Sequence, residues 1–87
     1  MGRLIKPDGT VVAVRPANGK RFSLQELQGL VGGYIKLART LSGKIMFINE
    51  DGKRLNLQPN LKATAIAGLQ GDTIVGNAIV CDKGETN

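Results

Sequence analysis

The chain contains no histidine and a single cysteine, Cys81. Histidine is the side chain best suited to proton transfer near neutral pH and the commonest metal ligand. Its absence excludes a Ser-His-Asp or Cys-His nucleophile and any histidine-bearing zinc site. One cysteine excludes an intramolecular disulfide, which fits a reducing, cytoplasmic setting. Cys81 lies in an apolar run and reads as a small buried hydrophobe, not a nucleophile. No apolar stretch reaches the length of a membrane span, and no signal-peptide pattern opens the chain. Aromatics make up only 3% of the residues (Phe22, Tyr34 and Phe47). The core must therefore come from Leu, Ile, Val and Ala, and platforms for base stacking are scarce.

What is present describes one small globular domain. Hydrophobic residues form 41% of the 87 positions, enough for a core but one thin enough that homo-oligomerisation is expected. Twelve Lys and Arg against seven Asp and Glu leave a net charge of +5. That excess serves either an anionic partner or solubility, and its scatter from Arg3 to Lys83 weakens a claim on polyanions.

Local chemistry punctuates the chain clearly. Pro7-Asp8-Gly9 is a turn between an apolar stretch, Arg3 to Lys6, and the β-branched run from Thr10 to Arg15, so the two form a hairpin. Ser23 and Glu26 compose a capping box, with Phe22 and Leu27 as the hydrophobic staple. The helix they start carries Leu24, Leu27 and Val31 on one face and ends at Gly32-Gly33. A second hairpin runs from Tyr34 to Asn49 around a two-residue Ser42-Gly43 loop. If Leu41 pairs with Lys44, Arg39 opposes Met46, Leu37 opposes Ile48 and Ile35 opposes Glu50. The other face then holds Ala38 with Phe47, Lys36 with Asn49, Thr40 with Ile45 and Tyr34 with Asp51. Both faces are apolar, so one covers the capped helix and the second needs another helix, a second subunit or a ligand. A small-residue helix from Leu61 to Ala67 follows Asn60 as cap and stops at Gly68. A last strand spans Thr73 to Cys81, interrupted by Gly76. The order ββαββαβ predicts a single α+β domain over residues 1–82, mainly antiparallel, with a polar tail at 83–87.

Several segments together carry a family resemblance: Leu24 to Ile35 (LQELQGLVGGYI), Phe47 to Lys53 (FINEDGK), Leu57 to Asn60 (LQPN) with Ala63-Thr64, and Ile74-Val75-Gly76. This pattern resembles a family of small phage-, plasmid- and archaeal-borne domains known only as a domain of unknown function. The resemblance implies a mobile-element setting beside proteins that subvert host regulation or defence, and no established chemistry. By analogy with small phage proteins that sequester nucleotide signals, it directs attention to a nucleotide-like ligand.

In the expected register, Tyr34, Lys36 and Asn49 share a face beside Ala38, Ile45 and Phe47: an aromatic, a cation and an amide beside an apolar floor. The same residues also suit a solvated hairpin edge meeting a partner chain. Arg39 and Arg54 offer guanidinium forks for phosphate, although Arg39 opposite Met46 could only snorkel to the rim. Asn49 and Asn60 read as recognition amides or as turn and cap residues. Gln70-Gly71-Asp72 is a further place for an anion, whereas the Gly29–Gly33 glycines close a helix and sit at the wrong end for phosphate. Glu50 and Asp51 are adjacent and would alternate across a strand, which argues against a paired acid–base or metal site.

The expected function is that of a non-enzymatic accessory protein without cofactor, metal or catalytic residue. It would sequester an anionic, nucleotide-like small molecule at a subunit interface through Tyr34, Lys36, Arg39, Asn49, Arg54 and Asn60. The alternative is a regulator that binds nucleic acid or a host protein with the same basic surface.

Overall fold

The computed structural model describes residues 2–68 and 72–85. Seven elements follow the expected order: β1 (Gly2–Ile5), β2 (Val11–Val14), α1 (Leu24–Val31), β3 (Ile35–Arg39), β4 (Ile45–Asn49), α2 (Leu61–Ala67) and β5 (Ala78–Cys81). The strands form one antiparallel sheet ordered β2-β1-β5-β4-β3. β5 comes last in the chain yet lies at the centre. Its four residues, Ala-Ile-Val-Cys, are all buried, as an uninterrupted apolar strand requires when both sheet faces are covered.

Each face is covered by one of this chain's helices. Leu4, Ile79 and Phe47 stand in register across one face. There they pack with Phe22, Leu27 and Val31, and with the half-buried Leu30 and Ile35. Ile5, Ala78, Val80 and Met46 belong to the other face and pack with Ala63 and Ala67 of α2 and with Ile74. Alanines on α2 let its backbone approach the sheet closely, and Met46 beneath them is fully buried. Burying a side chain of that size stabilises the fold by roughly 1.5–3 kcal/mol. With α2 on the second face, that face needs neither a second subunit nor a ligand to be covered.

The caps match their sequence signals. Ser23 Oγ accepts the Glu26 N–H while Glu26 Oε1 accepts the Ser23 N–H, closing the capping box. Glu26 Oε2 also accepts the Ala17 N–H, tying the preceding loop to α1. The first anchor of this face is Phe22, whose ring lies over Gly2: a methyl group there would come within 2.9 Å of it. Leu24, placed on the buried face by spacing, is instead 58% exposed. Gly32 takes a left-handed conformation at φ 81° to end α1.

The middle hairpin differs from expectation by one residue. Ile35 pairs with Asn49, Leu37 with Phe47, Ala38 with Met46 and Arg39 with Ile45. The loop holds three residues, Leu41-Ser42-Gly43, with Gly43 at φ 84°. Thr40 N–H donates to the Lys44 carbonyl and Gly43 N–H to the Thr40 carbonyl. This is a turn followed by a left-handed glycine bulge, and the first hairpin repeats it with Lys6, Gly9 and Thr10. A slip of one residue exchanges the two faces of one strand relative to the other.

The last strand is also shorter than expected. Val75 makes an isolated bridge with Pro59, Gly76 bends at φ 77°, and the regular strand begins at Ala78. In the polar tail, Lys83–Glu85 forms a short 3-10 turn whose Glu85 carbonyl accepts the Phe22 N–H at 2.8 Å. Among the described residues no helix is long and apolar enough to cross a membrane.

Candidate functional site

The corrected register separates the residues that the expected one had joined. Asn49 turns toward the α1 face, where it is buried. Its Nδ2 donates to the Val31 carbonyl at 3.2 Å and its Oδ1 accepts the Asp51 N–H at 2.8 Å. It therefore caps the carbonyl end of α1 and braces the following turn, a task that Asn77 shares by donating to the Leu30 carbonyl. Lys36 emerges on the opposite face, beside Ala38 and Ile48. Tyr34 precedes β3 and is 67% exposed, with its carbonyl accepting the Glu50 N–H.

Asn60 is wholly enclosed. Its Nδ2 donates to the carbonyls of Ile5 (2.9 Å) and Gly76 (2.8 Å), and its Oδ1 accepts the Ala63 N–H. The hydrogen-bonding groups of this side chain are thus committed inside the fold. Arg54 lies at the turn after β4 and pairs with Asp51 at 3.3 Å. Of the six candidate residues, Lys36 and Arg39 alone stand on the open strand, β3. Gln70 and Gly71 of the proposed anion turn lie outside the described residues.

β3 is an edge strand, and a groove lies along each of its flanks. The first, of about 300 Å³, has Ala38, Ile48 and Ile74 in its floor and Lys36, Lys53, Glu50 and Asp72 on its rim. The second, of about 470 Å³, runs beside Leu37, Ile45 and Leu41, with Arg39, Lys44 and Lys83 around it. Side-chain alternation explains the division: Lys36 and Ala38 point to the α2 face, Leu37 and Arg39 to the α1 face. Lys53 pairs with Asp72, 19 residues away in the chain. That hydrogen bond, the Thr73 N–H, and the charges of Lys53 and Lys36 hold the Asp72 carboxyl below the usual carboxylate range. Lys44 pairs loosely with Asp82 at 3.7 Å. Among the described residues, Lys36 and Arg39 have no carboxylate partner.

The strand also presents its backbone. Tyr34 carbonyl bonds Glu50 N–H and Thr40 N–H bonds the Lys44 carbonyl, so bonded pairs fall on even-numbered residues of this strand. Ladder alternation then turns the N–H and C=O groups of Ile35, Leu37 and Arg39 away from β4, toward solvent. Leu37 is 57% exposed at the middle of this edge. Asp72 belongs to the anion turn expected from the sequence, but its pairing with Lys53 and the approach of Asp72–Val75 to β3 are not legible there, because nothing local connects residues on either side of α2.

Cys81 is buried on β5, and burial together with Glu85 and Asp82 pushes its thiol up to about 11. Among the described residues, no group of three or more Asp, Glu or Cys is placed to hold a metal ion.

Comparison with protein families matches residues 3–87 to one described as a domain of unknown function (DUF3846), so the chain belongs to that family. No curated protein and no solved structure matches it.

Proposed function

We propose that this member of the domain of unknown function (DUF3846) family is a non-catalytic binding module that takes an extended acidic segment of a partner protein along β3. One observation carries the reading: an open edge strand has cations on both of its faces, Lys36 on one and Arg39 on the other, neither with a carboxylate partner among the described residues. A strand added at this edge would bond the outward N–H and C=O groups of Ile35, Leu37 and Arg39. Its side chains would alternate between the two grooves, meeting Lys36 on one side, where Glu50 and the Asp72–Lys53 pair also stand, and Arg39, Lys44 and Lys83 on the other. Exposed Leu37 supplies apolar contact midway. In a mobile-element setting, the partner would be a host regulatory or defence protein in the cytoplasm.

The 300 Å³ groove favours a second reading, a small nucleotide-like anion bound beside Lys36 and Lys53, since its volume falls at the lower end of ligand pockets. No aromatic residue lines that groove, and Tyr34 lies outside it, so a base would have no ring on which to stack.

Amide-resolved NMR titration distinguishes the two. An acidic peptide that carries Glu on both faces of an extended strand, such as a repeated Val-Glu-Glu-Val, should shift the amides of Ile35, Leu37 and Arg39, weaken steeply with salt, and lose its effect in Lys36→Glu/Arg39→Glu. A mononucleotide that raises the melting temperature and shifts only the Lys36 and Ile48–Lys53 amides would establish the second reading instead. If neither probe shifts any β3 amide, the binding face lies elsewhere.

A further inference from the structure

The sheet has a second open edge with the opposite character. β2 reads Val-Val-Ala-Val, and Val11 (43%), Val12 (39%) and Ala13 are all exposed. It contains no lysine, proline or bulge, the devices by which edge strands resist pairing with another chain. β3 has such protection against itself, because Lys36 and Arg39 of two copies would repel each other.

The backbone of β2 is set for pairing. Lys6 N–H donates to the Thr10 carbonyl and Gly9 N–H to the Lys6 carbonyl, which places the bonded pairs with β1 on Thr10, Val12 and Val14. Val11 and Ala13 therefore turn their N–H and C=O groups outward. In an antiparallel two-fold pairing centred on Val12, Val11 bonds Ala13 of the partner subunit, and Ala13 bonds the partner's Val11. Each such pair exchanges both N–H···O bonds. Val12 then meets the partner's Val12 as a non-bonded pair, where side chains approach most closely. The same register sets Arg15 opposite the partner's Gly9, whose carbonyl already accepts the Lys62 ammonium, with the partner's Asp8 beside it, so each end of the seam brings two cations to one carboxylate. Arg15 and Asp8 are both exposed and available for it.

We infer that the protein self-associates through β2 into a two-fold dimer with one continuous sheet, leaving both β3 edges free at its ends. This rests on β2 alone and is independent of what β3 binds.

Sedimentation of the intact chain should give twice the 9.2 kDa chain mass. Ala13→Pro removes an N–H that points away from β1, so it should yield a monomer with an unchanged far-UV circular dichroism spectrum. Should that variant fail to fold, Val12→Lys sets like charges face to face at the seam and should give the same monomer. Val12→Cys reads the register: a non-bonded antiparallel pair places Cα atoms about 4.5 Å apart, within disulfide range. It should cross-link on air oxidation, whereas Val11→Cys, displaced along the strand from its own copy, should not. A wild-type chain that stays monomeric at all concentrations overturns the inference. So does a dimer that survives Ala13→Pro and Val12→Lys with no Val12→Cys cross-link.

Discussion

Asn60 offers the sharpest test of how this fold is held. Its side chain joins three elements: the end of β1 through the Ile5 carbonyl, the Gly76 bend, and the first turn of α2 through the Ala63 N–H. Its backbone N–H also donates to the Ile74 carbonyl at 2.7 Å, and Thr64 Oγ1 donates to the Asn60 carbonyl. Asn60→Ala removes the cap, which alone costs about 1 kcal/mol. It also strips the buried Gly76 carbonyl of the amide donor, a loss of about 1–3 kcal/mol. The sum, roughly 2–4 kcal/mol, is a large share of the roughly 4–13 kcal/mol expected for a domain of this length. The melting temperature should fall by roughly 10–25 °C.

Asn60→Asp is the decisive comparison. Aspartate caps a helix as well as asparagine does, but an oxygen would replace the Nδ2 that faces two carbonyl oxygens. The carboxylate would be buried against like partial charges, so its folded-state pKa would rise. Above the unfolded value of about 3.9 the penalty grows with pH; below it the acid is neutral in both states and the penalty shrinks. Urea denaturation followed by circular dichroism at neutral and acid pH measures both effects. At neutral pH, Asn60→Asp should be at least as destabilised as Asn60→Ala. If it instead matches wild type while Asn60→Ala costs only about 1 kcal/mol, Asn60 is a helix cap and nothing more.

Three further outcomes are expected. The Glu26 carboxyl is held below its ordinary 4.5 by the Ser23 and Ala17 N–H groups, so its contribution is present above that pH and lost as pH falls through the lowered folded value. The melting-temperature gap between wild type and Glu26→Gln should therefore narrow on acidification. Gly52→Ala would place a methyl 2.7 Å from Val75 Cγ2 and 3.3 Å from the Val75 carbonyl oxygen, destabilising the domain by about 1–3 kcal/mol in chemical denaturation. Cys81, buried and pushed up to about 11, should react with a thiol-specific chromogenic reagent in mildly alkaline buffer only after unfolding; rapid modification of the native chain would contradict its burial.

Much of this fold is legible where the signal is short-ranged. The capping box Ser23–Glu26, the α2 boundaries at Asn60 and Gly68, and both hairpins are written in adjacent residues, because caps and turns are satisfied within a few positions. The faces of the middle hairpin were not legible. Ser42-Gly43 suits a two-residue loop, yet Gly43 serves as the left-handed residue of a three-residue one, and the difference moves Asn49 from beside Lys36 to beneath α1. Alternating apolar residues on both faces of this hairpin gave no preference between the two registers.

The sequence alone settles what the chain has to work with: no histidine, one inert cysteine, a small aliphatic core, an excess of cations and the order of its elements. Those properties belong to residue types and near neighbours, so they survive any arrangement of the chain. Only the tertiary structure decides that β5, last in sequence, enters between β1 and β4, and that α1 and α2 take opposite faces of the sheet. It thereby leaves β2 and β3 as the two edges, one apolar and one basic. Strand order depends on pairings between residues far apart in the chain, where the free energy comes from burying both faces of β5 at once and no local pattern records it.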